Sequence, residues 1–286
     1  FPLNHNYSTL HMVFELPEIL KVSKQMEEKL VGKKITNIIL TDHLNSMIKQ
    51  GMSNLDKRKQ DILNTNITRI YPKGKWIFLE FHNENLLMLG EIIGKFSYFQ
   101  KTNSLPSKYH VAFQFSDDSY LTFQSSLYAF LTIATREEKR IHRYAGNIGP
   151  SPNEPDFSQD YFLEVMSRNE KKPIKAALNI QELISGLGNV YINDILYESK
   201  IHPKSKIFSL NSNDLNNLYA SIIRIINSAI ELGGSSEEFD LYDLTGKYNR
   251  IMSKNRSHCS RCETKIVKEN VLGSSSYYCP NCKKIQ

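Results

Sequence analysis

Four cysteines stand in two pairs near the end of this chain, which has no others: Cys259 with Cys262, and Cys279 with Cys282. Two residues separate the members of each pair, and sixteen residues separate the pairs. The spacing is typical of a closed tetrahedral zinc site, with the thiolate pairs at the two turns of a β-hairpin. A redox-active motif and four incidental thiols remain as alternatives. Because sulfur fills every position, we predict one structural zinc ion per chain, without an open position for water.

Length and composition limit the classes of protein that this chain can form. Its 286 residues, 40% apolar and 23% charged, suffice for two packed domains and exclude disordered and fibrous architectures. The sequence has no run of about 18 to 20 apolar residues, the length that a membrane-spanning helix needs. All cysteines lie in the last 28 residues, so no disulfide framework spans the fold, and a cytoplasmic location is expected.

The net charge of +6 belongs to the C-terminal end of the chain. From Asp243 onward, nine Lys and Arg residues stand against three acidic ones, whereas residues 1–242 carry 27 charges of each sign. A basic terminal module on a neutral body favours a polyanionic partner, most simply nucleic acid. A solvated basic surface without a partner is the alternative.

The first half of the chain has the pattern of a β-rich domain led by one helix. Apolar residues at helical spacing follow Leu16-Pro17 and end at Gly32, which predicts a helix. Strand-like runs then occupy 33–40, 66–71, 76–81 and 109–115, separated by turn residues, as in antiparallel hairpins. We therefore predict a helix followed by a β-sandwich or barrel.

The second half has helical periodicity. The stretch 146–155 is dense in Gly, Pro and Asn and marks a domain boundary. Apolar stripes beyond it predict helices around 176–184, 192–196 and 215–229, the last capped by Ser212 or Asn213 and ending at Gly233-Gly234. The predicted fold class is α+β. The predicted segments are a leader or expression remnant (1–11), the β-sandwich (12–145), a linker (146–156), a helical domain (157–242) and a basic zinc finger (243–286).

A second motif, Ser185-Gly-Leu-Gly-Asn189, lies between two helical patterns. Its two glycines let the backbone approach another chain closely, and amides at the start of the next helix favour a phosphate. An ordinary turn between helices is the alternative.

Five motifs resemble, in identity and order, those of the formamidopyrimidine-DNA glycosylase and endonuclease VIII family. They are Glu15–Glu18, Gly74–Trp76, Gly186–Leu196, Ile201–Pro203 and the four-cysteine hairpin, and they span about 12–282. Three further segments look most like the endonuclease VIII-like, Gram-positive-type branch: 233–236, 246–248 and 253–255. The resemblance implies a helix-two-turn-helix domain over 157–242 and damaged double-stranded DNA in the cleft between the domains. It also implies a bacterial, nucleoid-associated monomer.

The resemblance also implies site residues. Glu15 corresponds to the acidic residue that shuttles protons beside a terminal amine, and Glu18 is assigned to the same catalytic group. Lys75, assigned to both the catalytic and the DNA-binding residues, corresponds to a lysine that contacts phosphate near the flipped nucleotide. Gly188 and Asn189 bind the same DNA backbone. The structural alternatives are a charge at a helix N-terminus, a solvated hairpin lysine and a helix-capping asparagine.

Several positions depart from the family pattern. Phe14 stands where the family has a proline or another terminal amine that attacks C1′, so strand cleavage through a Schiff base is expected to be weak or absent. Glu91 lies in the loop that usually offers a methionine, and 124–127 replaces a loop with paired arginines. Ser274, predicted to bind DNA, lies near a position that is often arginine. Phosphate clamping and filling of the base stack should therefore differ.

The sequence thus predicts a DNA-repair protein that excises a damaged, oxidised base by N-glycosidic cleavage, with AP lyase activity in doubt. A catalytically inactive family member that binds lesions or abasic sites is the alternative. A zinc-ribbon RNA-binding protein is a third class, which the β-rich first half and Glu15–Glu18 disfavour.

Overall fold

The computed structural model describes residues 12–101 and 105–282. The predicted leader 1–11 and the basic residues Lys283 and Lys284 lie outside the described residues. None of the described helices is long and apolar enough to cross a membrane.

The described helices and strands follow the predicted α+β order. The helices are α1 (Leu16–Leu30), α2 (Asn45–Lys49), α3 (Leu55–Arg58), α4 (Arg136–Ile141), α5 (Gln159–Arg168), α6 (Ile174–Leu178), α7 (Asn189–Glu198) and α8 (Ser212–Glu231). The strands are β1 (Ile35–Leu40), β2 (Ile67–Lys73), β3 (Trp76–Phe81), β4 (Leu86–Gly90), β5 (Gly94–Phe99), β6 (Val111–Phe115), β7 (Tyr120–Ser125), β8 (Phe130–Ala134), β9 (Val267–Val271) and β10 (Ser274–Tyr278). Short 3-10 turns occupy Asp42–Leu44, Lys59–Asp61 and Ile207–Ser209.

Two four-stranded antiparallel sheets form the N-terminal sandwich, with strand orders β1-β6-β7-β5 and β2-β3-β4-β8. The alternating apolar residues of both sheets meet in one core, which includes Leu79 and Phe113. The apolar face of α1 packs on this core through Val22 and Met26. The strand periodicity therefore predicts the sandwich correctly, and burial of both sheet faces explains the continuous apolar run of β3 and β4.

The start of α1 joins this core to a second, helical one. The Phe14 side chain is buried in the sandwich core, whereas Leu16 is buried in the core formed mainly by α5, α7 and α8. Glu15 lies between them on the chain and is itself fully buried. The carboxylate is therefore held at the junction of the two domains.

One predicted helix is shorter in the structure. The apolar stripe at 176–184 predicts a continuous helix, but α6 ends at Leu178. Residues 179–188 instead make turns, in which the Leu183 amide donates to the Ile180 carbonyl and the Ser185 amide donates to the Pro150 carbonyl. Turns and helices bury apolar residues at similar spacing, so the periodicity alone could not separate them. The predicted N-cap of α8, Ser212 or Asn213, is also wrong by one or two residues. The N-cap is Asn211, whose side-chain oxygen accepts from the Asp214 amide.

The four cysteines gather at the open end of one hairpin. Cys259 and Cys262 precede β9, and Cys279 and Cys282 follow β10, so antiparallel pairing brings both pairs to the same end. Each pair lies on a turn, at 260–262 and 280–282, as predicted, and the β9–β10 turn at Leu272-Gly273 lies at the opposite end of the hairpin.

Candidate active site

The Glu15 carboxylate caps the N-terminus of α7. Its oxygens accept the backbone N–H groups of Gly188 at 2.9 Å, Val190 at 2.8 Å and Tyr191 at 3.3 Å. A carboxylate is stabilised there because the first N–H groups of a helix have no partners within the helix. Burial raises the pKa of Glu15 above its ordinary value, while the positive charge of Lys75 and the amides oppose this rise. A carboxyl group with a raised pKa is suited to proton transfer near neutral pH.

Gly188 leaves room for the two charged groups of the site. A β-carbon built on Gly188 would lie 2.4 Å from Glu15 Oε1 and 3.1 Å from Lys75 Nζ. The Gly188 backbone is extended, with φ −147° and ψ −169°, so space rather than backbone conformation requires glycine here. Glu15, Lys75 and Gly188, each predicted from sequence, therefore lie together.

Glu18 lies behind Glu15 and bonds to protein groups on three segments. Its carboxylate accepts from the Glu15 amide at 3.2 Å, the Tyr191 hydroxyl at 2.6 Å and the Ser235 amide at 2.8 Å. Burial raises the pKa of Glu18, and the tyrosine hydrogen bond opposes the rise. These contacts tie α1 to α7 and to the loop after α8, which favours a positioning role for Glu18.

The nitrogen that precedes Glu15 is a peptide nitrogen. The Phe14 N–H donates to the Ile92 carbonyl at 3.0 Å, and Val13 pairs with Ile93 in an antiparallel bridge. The Val13 N–H donates to Glu238 Oε2 at 2.9 Å. An amide nitrogen within this backbone pairing is not a nucleophile.

Lys75 lies beside a second carboxylate, that of Glu91, at the end of the neighbouring strand of the same sheet. Its side chain is 11% exposed, and its Nζ lies 3.6 Å from Glu91 Oε2. Glu91 has φ +47°, a left-handed conformation that is uncommon outside glycine. Lys75 is thus not a solvated hairpin lysine. Its ammonium lies between the acidic groups of the site.

Two loops of the sandwich meet beside Glu91. The Ser126 amide donates to the Ile93 carbonyl at 2.8 Å, and the Ile93 amide donates to the Tyr128 carbonyl at 2.9 Å. Leu127, in the loop where the family has paired arginines, is 65% exposed. An open cavity of about 430 Å³ between the two domains is lined by Glu91 and Tyr128. These loops thus present an acidic and apolar edge to the cleft.

Asn189 and Ser274 meet at the tip of the zinc-finger hairpin. Ser274 Oγ donates to Asn189 Oδ1 at 3.0 Å, which joins the start of α7 to β10. The Asn189 side chain does not cap α7, whose N-cap is Gly188. Lys175 also donates to Ser274 Oγ, at 2.8 Å. The two predicted DNA-binding side chains are therefore brought together by the tertiary structure.

The four cysteine sulfurs have the geometry of a metal site. All four lie within 4.8 Å of one another, and three of their separations are 3.4, 3.5 and 3.7 Å. Tetrahedral Zn–S bonds of about 2.3 Å require S···S separations of about 3.8 Å. Cys259, Cys262, Cys279 and Cys282 therefore fit a closed four-sulfur site.

Sequence reasoning missed Lys175, Glu238 and Arg250 as parts of this region. Lys175 is buried although its helical position gives no sign of this, because lysines are usually exposed. Glu238 and Arg250 form an ion pair beside the Val13 amide, and their sequence neighbours resemble any polar loop. Only long-range contacts identify these three residues.

Three family models match consecutive parts of the chain. The formamidopyrimidine-DNA glycosylase N-terminal domain matches residues 13–126, and the H2TH domain of the same glycosylase matches 148–240. The zinc finger found in FPG and IleRS matches 258–285.

Curated relatives match over nearly the whole chain. The formamidopyrimidine-DNA glycosylase of Lactococcus lactis subsp. lactis (strain IL1403) is 30% identical over 275 residues, covering 94% of this chain and 99% of the relative. The enzyme of the same name from Streptococcus mutans serotype c is 29% identical over 281 residues, covering 94% and 99%. Because both carry this name, the endonuclease VIII-like branch stays a prediction.

Solved structures share the fold. The complex of Lactococcus lactis Fpg with DNA containing an abasic site has a TM-score of 0.82 at 28% identity, covering 94% of this chain and 99% of that one. A complex of MutM with DNA containing carbocyclic 8-oxo-G has a TM-score of 0.81 at the same identity and coverage. The shared fold therefore includes both domains and the hairpin.

Proposed function

Because the chain belongs to the formamidopyrimidine-DNA glycosylase family, we propose that it is a DNA-repair glycosylase acting on damaged double-stranded DNA. The proposed substrate is an oxidised base, and the proposed reaction is hydrolysis of its N-glycosidic bond, with weak or absent AP lyase activity. The observation that carries the proposal is the buried Glu15 carboxylate beside Lys75, preceded by a peptide nitrogen instead of an amine.

The substrate class is supported by the relatives. Solved complexes of Lactococcus lactis Fpg contain DNA with an abasic site or with Fapy-dG, and a MutM complex contains carbocyclic 8-oxo-G. Enzymes that act on a base within a duplex must extrude it from the stack. The cleft between the sandwich and the helical domain is where we place the extruded nucleotide.

The residues divide into DNA binding and proton transfer. Lys75 and Asn189 would hold phosphates on either side of the extruded nucleotide, which fixes C1′ near Glu15. Glu15 would take a proton from water as the water oxygen bonds to C1′, while the C1′–N bond breaks and its electron pair leaves with the base. Burial favours this step, because a carboxylate with a raised pKa is a stronger base.

The proposed metal is zinc, held by Cys259, Cys262, Cys279 and Cys282. When bound, the ion would supply a fixed link between the segment before β9 and the segment after β10, and it takes no part in bond cleavage. The hairpin then holds Ser274 against Asn189, so the metal supports the DNA-binding end of α7.

The second candidate is a non-catalytic protein that binds lesions or abasic sites. The peptide nitrogen of Phe14 supports it, because the resemblance implies an attacking amine at this position and a hydrogen-bonded peptide nitrogen does not attack. The deciding experiment incubates the protein with duplexes that carry one defined lesion each, including 8-oxoguanine and formamidopyrimidine, and scores base release and nicking separately. Base release without nicking supports the hydrolytic glycosylase. Tight binding without base release from any lesion supports the second candidate.

A further inference from the structure

We propose that Lys175 is a positioning residue that organises a site for a DNA backbone phosphate at the tip of the zinc-finger hairpin, acting through Ser274 on Asn189. This inference rests on the proposed function for its ligand, since it assumes that the cleft holds DNA. Lys175 is a buried cation that was not among the site residues predicted from sequence, and the inference adds it to the residues that bind the phosphate.

Lys175 is a buried cation with only neutral partners. The residue is 2% exposed, and its Nζ donates to Ser276 Oγ at 2.6 Å, Ser274 Oγ at 2.8 Å and the Val271 carbonyl at 3.2 Å. No carboxylate lies within ion-pair distance of Lys175 in residues 12–101 and 105–282. Burial lowers the pKa of Lys175 to about 8. A buried charge without a counter-ion is costly, and a nearby phosphate would reduce that cost.

The ammonium sets the direction of the hydrogen bonds that lead to Asn189. A lysine ammonium only donates, so Ser274 Oγ must accept from Lys175 and direct its own hydrogen elsewhere. Two acceptors lie within reach of that hydrogen, Asn189 Oδ1 at 3.0 Å and the Val271 carbonyl at 3.4 Å, and the shorter contact is the one to Asn189. The Asn189 oxygen is thereby occupied, and the two N–H groups of its amide remain as donors. Phosphate oxygens accept but do not donate, so this orientation suits a phosphate.

The series of hydrogen bonds from Lys175 through Ser274 to Asn189, here called the relay, ends next to the residues that bind the Glu15 carboxylate. Asn189 is the first residue of α7, and the amides on either side of it, those of Gly188 and Val190, donate to Glu15. A phosphate held by the Asn189 side chain would therefore be bound at a residue whose two sequence neighbours bind Glu15. An open pocket of about 250 Å³ begins at Asn189, and Lys254 and Ser275 line it.

The two acidic residues that line this pocket are already paired. Glu237 and Glu238 also line it, and Arg250 forms ion pairs with both. Lys175 differs from Arg250 because it has no acidic partner. In the resembling family an arginine often stands near the position of Ser274. In this chain the positive charge lies behind the serine hydroxyl.

The test is a double-mutant cycle on DNA binding, measured with a duplex that contains a non-cleavable tetrahydrofuran abasic analogue. We expect Lys175→Met and Asn189→Ala each to weaken binding roughly tenfold, the size of one hydrogen bond to a charged group. The double variant should bind within about twofold of the weaker single variant, because both changes break one relay. Lys175→Arg should recover part of the affinity, since it keeps the charge.

Lys172→Met is the matched control, because it removes the same charge from an exposed position three residues away. Its effect should add to that of Asn189→Ala. Additive effects of Lys175→Met and Asn189→Ala, with zinc content and unfolding temperature unchanged, would overturn the inference. If Lys175→Met loses zinc or unfolds, Ser274→Ala replaces it in the cycle, because this change breaks the relay and keeps the lysine. Additivity there also overturns the inference.

The inference and the proposed function can fail separately. If the wild-type protein releases bases from damaged duplexes but the cycle is additive, only the Lys175 relay is ruled out. If the cycle is non-additive but no lesion is released, the glycosylase function is ruled out and the phosphate site is supported. Absence of binding to any duplex removes both.

Discussion

The α-carbon of Gly188 lies so close to the Glu15 carboxylate that a β-carbon at this position would come within 2.4 Å of Oε1. The first turn of α7 and the start of α1 thus meet without a side chain between them. This contact brings a buried carboxylate, two amides at the start of α7 and the Lys75 ammonium close together.

Gly188→Ala should therefore abolish most activity without preventing folding. The extended backbone accepts alanine, but the added carbon displaces Glu15 or Lys75. Overpacking of this kind costs about 1–3 kcal/mol of stability, and a displacement near 1 Å can reduce rates about 100-fold. The measurements are the thermal unfolding midpoint and the single-turnover rate of base release. A rate equal to that of the wild type would show that the contact has no catalytic importance.

Glu15→Gln should abolish base release while binding to abasic-analogue DNA persists. Glutamine can keep an oxygen on the α7 amides but cannot accept a proton from water. Base release and equilibrium binding are measured on the same duplex, with Glu164→Gln, an exposed position on α5, as the control. Excision that survives in the Glu15 variant would remove Glu15 from the mechanism.

Lys75→Ala and Asn189→Ala should both weaken DNA binding with the fold intact. Loss of the lysine removes a charge, so the slope of log K against log salt should decrease by about one unit. Asn189→Ala removes a neutral donor and should leave the slope nearly unchanged. Titrations at several salt concentrations check both statements. An unchanged affinity and slope for Lys75→Ala would place Lys75 outside the interface.

Borohydride should trap little or no covalent complex with abasic DNA. Trapping needs a neutral amine at C1′, and the Phe14 nitrogen is an amide that donates to Ile92. The assay is gel analysis of the reduced complex, with Lys75→Ala alongside. Efficient trapping that disappears in Lys75→Ala would contradict the prediction and identify Lys75 as an internal nucleophile.

Metal analysis should find one zinc ion per chain, and a strong chelator should lower both the unfolding temperature and DNA affinity. The four sulfurs fit a zinc site, and the hairpin that they close holds Ser274 against Asn189. Cys259→Ser should give the same phenotype without chelator. Freshly purified protein that lacks zinc and still binds DNA would overturn this prediction.

Local patterns in the sequence determined the zinc-finger cysteines, the sandwich strands β2, β3 and β6, and the start of α7. Each depends on neighbours along the chain: fixed spacing for metal ligands, alternation for strands, and glycine before a helix for an amide-lined anion site. The family motifs added Glu15, Lys75 and Asn189. Local patterns failed at 176–184, because turns and a helix place apolar residues at similar spacing.

Only the tertiary structure decided which charges are buried together. Lys175 and Ser274 are 99 residues apart in sequence, and Glu15 and Gly188 are 173 apart, so no local pattern can pair them. The cost of burying a charge depends on the surrounding dipoles and counter-ions, which exist only after the domains pack. Packing likewise placed Phe14 in the sandwich core and made its nitrogen part of a backbone pair. The sequence therefore supplied the chemical groups, and the junction of the two cores decided how they act.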